Sequence, residues 1–300
     1  MKFFAFAIMA LIWGTTWVAI KYSLMGYPPF SGAMLRFIFA AFVLAVYARA
    51  RRDPLTVPRG SLRFVIVTAI LLYVIDYGLI YWSEQYLNAG VTAIFFAALP
   101  LATALVSTFI YRSEPFSFRR FAGILVGLAG IVVVFLDQLL LTDFSGKVMI
   151  ASLGVLTAAV AAAFNAAIVK KYLTTIGTVS LTVHQLLWGA AGLALIAVTR
   201  GEFATIQYST TATIALLYLG LAGTAVAFVL YYMLLKVMTA STLSTISYIT
   251  PLVAVFTGGL LLGESITVRA IVGTLTIFLG VAITQFSHLA SLVRRPAVGA

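Results

Sequence analysis

Ten long apolar segments dominate this chain, and they constrain its fold more than any other feature. Each has about the 20 residues that an α-helix needs to cross a bilayer. The segments are too long and too evenly apolar for barrel strands of about ten alternating residues, so they predict helices, which satisfy their own backbone groups in hydrocarbon. We therefore expect an all-α integral membrane protein with ten transmembrane helices. The segments run approximately over 3–21, 31–49, 62–83, 89–111, 118–137, 147–169, 179–200, 209–233, 239–262 and 267–288.

The composition supports a lipid-facing surface. Of the 300 residues, 63% are hydrophobic and 9% are charged, whereas about a quarter of a soluble domain is charged. The connecting loops are short, so we expect no separate soluble domain. The sequence has no cysteine and none of the HExxH, CxxC or P-loop spacings, so we expect no metal, no cofactor and no direct use of ATP.

The basic residues indicate how the chain crosses the membrane. If the N-terminus lies inside and the segments alternate, five of the 19 Lys and Arg residues fall outside and the other fourteen inside. This excess of Lys and Arg residues on the inner side follows the positive-inside rule, which predicts that both termini are cytoplasmic. The net charge of +11 therefore reflects topology and does not indicate a nucleic-acid partner. The outside set is Lys21, Arg36, Lys147, Arg200 and Arg269.

A sequence pattern occurs twice, about half the chain apart. Residues 87–100 end on Pro100 and are followed by Glu114 and a Gly-rich segment; residues 238–251 end on Pro251 and are followed by Glu264 and another. The pattern predicts two repeats, 1–143 and 144–300, with five helices each. Because five is odd, the second repeat enters the membrane in the opposite sense. Such inverted repeats are used for alternating access around a site near the midplane.

The two prolines predict matched bends. A proline removes one intrahelical hydrogen bond, so Pro100 would free the carbonyl of Phe96 and Pro251 that of Ser247. The bends could open a cavity between the repeats, or could be packing kinks, which are common in membrane helices.

The third segment carries a polar stripe. Tyr73, Asp76, Tyr77 and Glu84 fall within about 100° of one helix face, and Tyr81 borders them. A carboxyl group as deep as that of Asp76 is costly, so it must be paired, hydrated or protonated. A protonatable group there would suit a proton-coupled step. The alternative is a structural hydrogen bond to a neighbouring helix.

Other polar and aromatic side chains complete the expected cavity. Arg36 could attract an anionic substrate group, pair with Asp76 or Glu84 of the third segment, or only extend its charged end to the membrane interface. His184 could carry a proton, because histidine changes charge near neutral pH, or could simply bond to a neighbouring helix. The remaining candidates are Trp13, Thr16, Trp17, Phe95, Phe96, Asn165, Gln185, Tyr231, Ser244 and Tyr248.

These residues resemble a known family. The repeat pattern, the Ile12–Trp17 stretch IWGTTW, the Pro29–Phe37 stretch and the Tyr81–Gly90 stretch YWSEQYLNAG are similar to EamA-type bacterial members of the drug/metabolite transporter superfamily. The resemblance covers essentially the whole chain. It implies a multi-pass carrier of the bacterial inner membrane that exports metabolites such as amino acids. It also implies that the fifth and tenth helices are peripheral to the cavity.

The sequence therefore predicts a secondary transporter and not an enzyme. Its partners would be a small-molecule substrate, the lipid bilayer and, if transport is coupled, protons; a monomer and a homodimer both remain open. Two alternatives stay open as well. One is a facilitator that needs no gradient, and the other is an intramembrane enzyme or lipid-handling protein that uses Asp76 and His184.

Overall fold

The computed structural model describes residues 2–144, 146–250, 252–253 and 268–293. Pro251, Glu264 and residues 254–262 of the ninth predicted segment lie outside the described residues. Within those ranges the chain is all helical, with no strand, as predicted.

Seven of the described helices are long and apolar enough to cross a membrane, and four of them contain a π-helical stretch. The first are α1, Lys2–Leu24, and α2, Pro29–Arg51. Next, α3 joins Leu62–Ala69, the π-helical stretch Ile70–Asp76 and Tyr77–Ser83. Two helices, α4 (Ala89–Phe96) and α5 (Leu99–Leu105, continued by the π-helical Val106–Ile110), share the fourth span.

The remaining helices follow in chain order. They are α6, Phe118–Val134; α7, Leu136–Leu141; α8, Gly146–Ile168 with the π-helical Val169–Leu173; α9, Thr178–Thr199; α10, Thr210–Gly220 with the π-helical Leu221–Val226 and Ala227–Val237; α11, Ala240–Ser244; and α12, Val268–Val293. The long helices coincide with the predicted apolar segments, because each segment supplies enough apolar side chain to face lipid along a full span.

The helix of the fourth membrane span is interrupted just before the first proline of the repeat pattern. Ala97 and Ala98 form a turn between α4 and α5, and Pro100 lies in the first turn of α5. Proline is tolerated there because a first-turn N–H has no intrahelical acceptor. The sequence predicted a bend at this point, and the structure interrupts the helix with a tight turn, in which the Ala97 N–H donates to the Ala93 carbonyl at 2.9 Å and the Ala98 N–H to the Phe95 carbonyl at 3.2 Å. A similar turn at Thr245 separates α11 from the helical residues 246–250.

The two Gly-rich helices, α6 and α12, pack closely against each other. A Cβ atom added at Gly123 would lie 2.7 Å from the carbonyl oxygen of Gly280, so only glycine permits this approach of the two backbones. Small residues give membrane helices this close contact, where no hydrophobic effect drives association.

The largest buried cluster lies between α1, α2, α3, α8, α9 and α10. It includes Phe37, Tyr73, Leu186 and Tyr232, which are almost entirely buried. These helices position the cavity described below.

Candidate binding cavity

A buried cavity of about 100 Å³ lies among side chains of α1, α3, α4, α5, α8, α10 and α11 and of residues 246–250. Its volume corresponds to about three water molecules at about 30 Å³ each. Pockets for small organic ligands are larger, about 300–1,000 Å³, so the cavity is constricted in this conformation. The predicted residues that line it are Trp13, Thr16, Trp17, Asp76, Tyr77, Phe96, Asn165, Tyr231 and Ser244.

Aromatic rings form much of the wall. Helical spacing places Trp13 and Trp17 on one face of α1. The ring centroid of Trp13 lies 5.6 Å from those of Phe228 and Tyr231, and Trp17 lies 5.7 Å from Phe96. The indole of Trp13 donates a hydrogen bond to the carbonyl oxygen of Gly223 at 3.2 Å, which fixes the ring.

Asp76 ends the π-helical stretch of α3 and lines the cavity. Its side chain is buried, with 2% of its surface exposed, and its Oδ1 atom has no hydrogen-bond partner among the described residues. The expected structural hydrogen bond to a neighbouring helix is therefore not seen for this atom. π-helical turns often occur at functional sites.

Arg36 lies behind the cavity wall. Its guanidinium is buried and donates to Thr224 Oγ1 at 2.7 Å, to Tyr81 OH at 3.3 Å and to the Gly223 carbonyl at 3.2 Å. Its Cζ atom lies 4.9 Å from the ring centroid of Tyr77. The anticipated pairing with Asp76 or Glu84 is not observed among the described ion pairs. Because neutral oxygens satisfy the guanidinium, Arg36 positions the wall and does not line the cavity.

Glu84 also lies away from the cavity. Its side chain is buried, and its two carboxylate oxygens have no hydrogen-bond partner in the described part of the chain. The ammonium of Lys21 donates to the backbone carbonyls of Glu84 and Leu87. Lys21 thus contacts the carbonyl of the residue that caps the C-terminal end of α3, where a cation is favourable, and a carbonyl of the following loop.

A polar network fixes α9 against its neighbours. Gln185 Nε2 donates to Thr68 Oγ1 at 2.6 Å, and Tyr232 OH donates to Gln185 Oε1 at 2.6 Å. Gln185 is fully buried and contributes to helix packing outside the cavity. Tyr73 packs edge-on against Phe37, with ring centroids 4.9 Å apart, and also lies outside the cavity.

The structure places three other predicted residues elsewhere. His184 Nδ1 is 2.8 Å from the carbonyl oxygen of Ser180 in its own helix, and no contact with Asp76 is recorded. Tyr248 OH donates to the Ile124 carbonyl at 2.9 Å, so the ring faces α6. Phe95 packs against Phe144, at 6.0 Å between ring centroids.

Sequence reasoning missed several residues of the wall. Phe228, Ser247 and Thr250 line the cavity. Phe228 lies one helical turn before Tyr231, so helical spacing from that candidate would have identified it. Ser247 and Thr250 lie beyond the turn at Thr245, where the spacing from Ser244 does not apply.

A bundle of membrane-length helices around an aromatic cavity, with one carboxylate among its described lining residues, defines a polytopic membrane protein. The model of the EamA-like transporter family matches residues 1–136 and again residues 149–286. The chain therefore belongs to the EamA-like transporter family, and the resemblance seen in the sequence is confirmed. It is a multi-pass membrane protein with a two-repeat architecture.

Several relatives align over most of the chain. The uncharacterized transporter YoaV of Bacillus subtilis is 26% identical over 93% of this chain and 94% of its own length. Protein PagO of Salmonella typhimurium is 28% identical over 93% and 91%. The uncharacterized inner membrane transporter YedA of Escherichia coli K12 is 27% identical over 88% and 84%. A solved crystal structure superposes with a TM-score of 0.79 at 19% identity, covering 95% of this chain and 98% of that chain; this likeness concerns the fold.

Proposed function

We propose that this protein is a secondary transporter of the bacterial inner membrane that exports small amphipathic metabolites, such as amino acids or related compounds, by alternating access. The observation that carries the proposal is the buried cavity lined by Asp76, Asn165 and aromatic rings from both repeats. Residues from both repeats would change their separation if the repeats rocked, and the cavity would then open alternately to either side.

The proposed architecture has ten helices, with two inverted repeats at 1–143 and 144–300 and both termini in the cytoplasm. Matched contacts support the inversion. Lys21 donates to carbonyls near the end of α3, and Lys170 donates to the carbonyls of Leu235 at 2.7 Å and Lys236 at 3.2 Å near the end of α10. Labelling of single cysteines introduced in successive loops would test the topology, because the natural chain has no cysteine.

Purified protein in vesicles would test the transport function. We expect uptake of a member of a metabolite panel, faster than in empty vesicles and dependent on the pH gradient if Asp76 exchanges protons. Asp76→Asn should then abolish the pH dependence. If uptake by the unaltered protein and by the Asp76→Asn variant does not depend on the pH gradient, the facilitator is favoured. If no compound of the panel is transported, the proposal is refuted.

We also propose that the chain is not an enzyme. The alternative intramembrane enzyme needs Asp76 and His184 in one site, and the ring of His184 bonds to Ser180 of its own helix and lies outside the cavity. The proposed transporter acts without a cofactor or metal, and it acts as a monomer or a homodimer.

A further inference from the structure

The first inference concerns the charge of the substrate, and it rests on the proposed transport function. Among the described residues that line the cavity, Asp76 is the only one with a carboxylic acid, and none is a lysine, arginine or histidine. The guanidinium of Arg36, behind the wall, is already bonded to three neutral oxygens. A buried charge requires a partner. An ionised Asp76 carboxylate has no cationic partner among the described residues of the cavity wall.

A second unpaired acceptor lines the same cavity. The Oδ1 atom of Asn165 is buried without a hydrogen-bond partner among the described residues, and Asn165 is 1% exposed. Buried polar atoms are nearly always satisfied. Two unsatisfied acceptors, Asp76 Oδ1 and Asn165 Oδ1, therefore favour a ligand that brings N–H donors.

The aromatic wall favours the same kind of ligand. Trp13, Phe228 and Tyr231 lie within 5.6–6.2 Å of one another, and Trp17 faces Phe96 at 5.7 Å. Such rings attract a cation that lies within about 6 Å of their centroids, and they also bury apolar surface.

We propose that the substrate is a protonated primary or secondary amine with an aromatic or branched apolar body. Its ammonium group would donate to Asp76 and Asn165, and its body would pack against the rings. A substrate carboxylate is not needed, because no cation of the described wall would receive it. The proposal narrows the small amphipathic metabolites of the proposed function to those whose recognised group is the amine.

Three ligands with one ring test the proposal: phenethylamine, phenylalanine and 3-phenylpropionate. Binding to the purified full-length protein would be measured from the shift in thermal unfolding, since a ligand of the folded state stabilises by mass action. We expect phenethylamine to bind at least tenfold more tightly than phenylpropionate, and phenylalanine to lie between them. Equal or tighter binding of phenylpropionate would overturn the proposal.

Two further measurements distinguish recognition from folding and from transport. Asp76→Asn should weaken phenethylamine binding at least tenfold, and Asp137→Asn, at a carboxylate whose side chain is 61% exposed, should leave it unchanged. The N,N,N-trimethyl derivative, which has no N–H, should bind the unaltered protein at least threefold more weakly than phenethylamine; equal binding would refute the donor argument without any variant. Binding without transport would refute the proposed function and leave the amine site standing.

A separate observation concerns the ends of α2 and α9, which occupy equivalent places in the two repeats. α2 is followed by Arg52, with φ 56°, and α9 is followed by Arg200 and then Gly201, with φ 66°, so a residue in the left-handed conformation follows each helix. The next residues are acidic in both: Asp53-Pro-Leu-Thr56 after α2 and Glu202-Phe-Ala-Thr205 after α9. The spacing of 149 residues also pairs Ser31 of α2 with Ser180 of α9.

Only one of the two acidic residues is attached to a helix. Glu202 is buried, and its Oε2 atom accepts hydrogen bonds from the backbone N–H groups of Phe30 at 2.9 Å and Ser31 at 2.7 Å. The carboxylate therefore fastens the first turn of α2, where anions are favourable. Asp53 is exposed, although its loop already reaches α9: Ser180 Oγ donates to the Thr56 carbonyl at 2.9 Å.

We infer that Glu202 and Asp53 are alternating latches. Glu202 holds the repeats together at one face in this conformation, and Asp53 binds the first turn of α9 at the other face when the transporter is in its opposite conformation. This inference rests on the proposed inverted repeats and alternating access.

Paired cysteines test the latches, because the natural chain contains none to interfere. Ser31→Cys with Glu202→Cys, and Asp53→Cys with Ser180→Cys, should each form a disulfide on mild oxidation in membranes. Each should reduce transport at least tenfold, and a reductant should restore it; the four single-cysteine variants should be insensitive to oxidation. A Ser31–Glu202 disulfide without any Asp53–Ser180 disulfide would refute the alternation. If no substrate is transported, oxidation can still be scored by disulfide formation alone, which separates this test from the transport assay.

Discussion

Glu114 forms a buried ion pair with Arg120 and accepts hydrogen bonds from Ser241 of the other repeat, and its removal is the sharpest test of how the fold is held together. Its Oε2 atom lies 2.8 Å from Arg120 Nη1 and accepts from Ser241 Oγ at 2.6 Å, and its Oε1 atom accepts from the Ser241 backbone N–H at 3.2 Å. Both charged side chains are buried. Glu114 therefore ties the segment before α6 to the first turn of α11.

The expected cost of Glu114→Ala is that of leaving one charge buried alone. Arg120 would keep a 3.4 Å hydrogen bond to the Pro115 carbonyl, and its Nε atom already lacks a partner. Breaking a buried pair from one side costs about 3–5 kcal/mol. The double variant Glu114→Ala/Arg120→Met removes the stranded charge and should recover at least half of that loss.

Reversible unfolding in mixed micelles, followed by tryptophan fluorescence, would measure these free energies. The matched control is Asp137→Ala, which breaks an ion pair with Arg269 whose side chains are 61% and 55% exposed. Exposed pairs contribute about 0–1 kcal/mol, so this variant should be nearly neutral. A Glu114→Ala loss below about 1 kcal/mol, or a double variant no more stable than the single one, would show that the pair is not buried as described.

Three further predictions concern packing and the cavity. Gly123→Ala should destabilise the protein by about 1–3 kcal/mol in the same unfolding assay, because the new methyl would meet Gly280, whereas Gly60→Ala has no atom within 4 Å and should be neutral. Gln185→Leu should cost about 1–3 kcal/mol, because it removes the buried acceptor of the Tyr232 hydroxyl, whereas the Thr68 hydroxyl keeps the Phe64 carbonyl as its acceptor. Phe96→Ala should weaken phenethylamine binding about three- to tenfold in the thermal-shift assay, since an aromatic pair contributes about 0.5–1.5 kcal/mol.

The sequence predicted those features that depend on helix length and helix period. Long apolar runs marked the membrane-length helices, and the spacing on α1 and α3 selected Trp13, Trp17, Asp76 and Tyr77, all of which line the cavity. Hydropathy reports which surfaces avoid water, and it does not distinguish a surface that faces lipid from one that faces another helix. For that reason only the structure identifies which neighbouring helix each apolar helix face packs against.

Tyr248 shows why some side chains could not be assigned from periodicity. Ser244 and Tyr248 are four residues apart and would share a face of an unbroken helix. The turn at Thr245 interrupts that helix, so Ser244 lines the cavity while Tyr248 faces α6. The environment of Arg36 could not be predicted for another reason. The sequence left open that its guanidinium pairs with a carboxylate, but in the structure the guanidinium donates to uncharged oxygens.

The constricted cavity and the interrupted helices together indicate where the protein can move. A metabolite larger than about three waters must widen the cavity, and the wall can open most easily where few intrahelical hydrogen bonds would be lost. The break at Ala97–Ala98 and the turn at Thr245 are such places, and both adjoin wall residues, Phe96 and Ser244. Sharp changes of helix direction need an interruption of this kind. The α6–α12 contact lacks one and is fixed by glycine-mediated backbone approach. We therefore expect movement at the breaks around a wall that α6 and α12 support from outside.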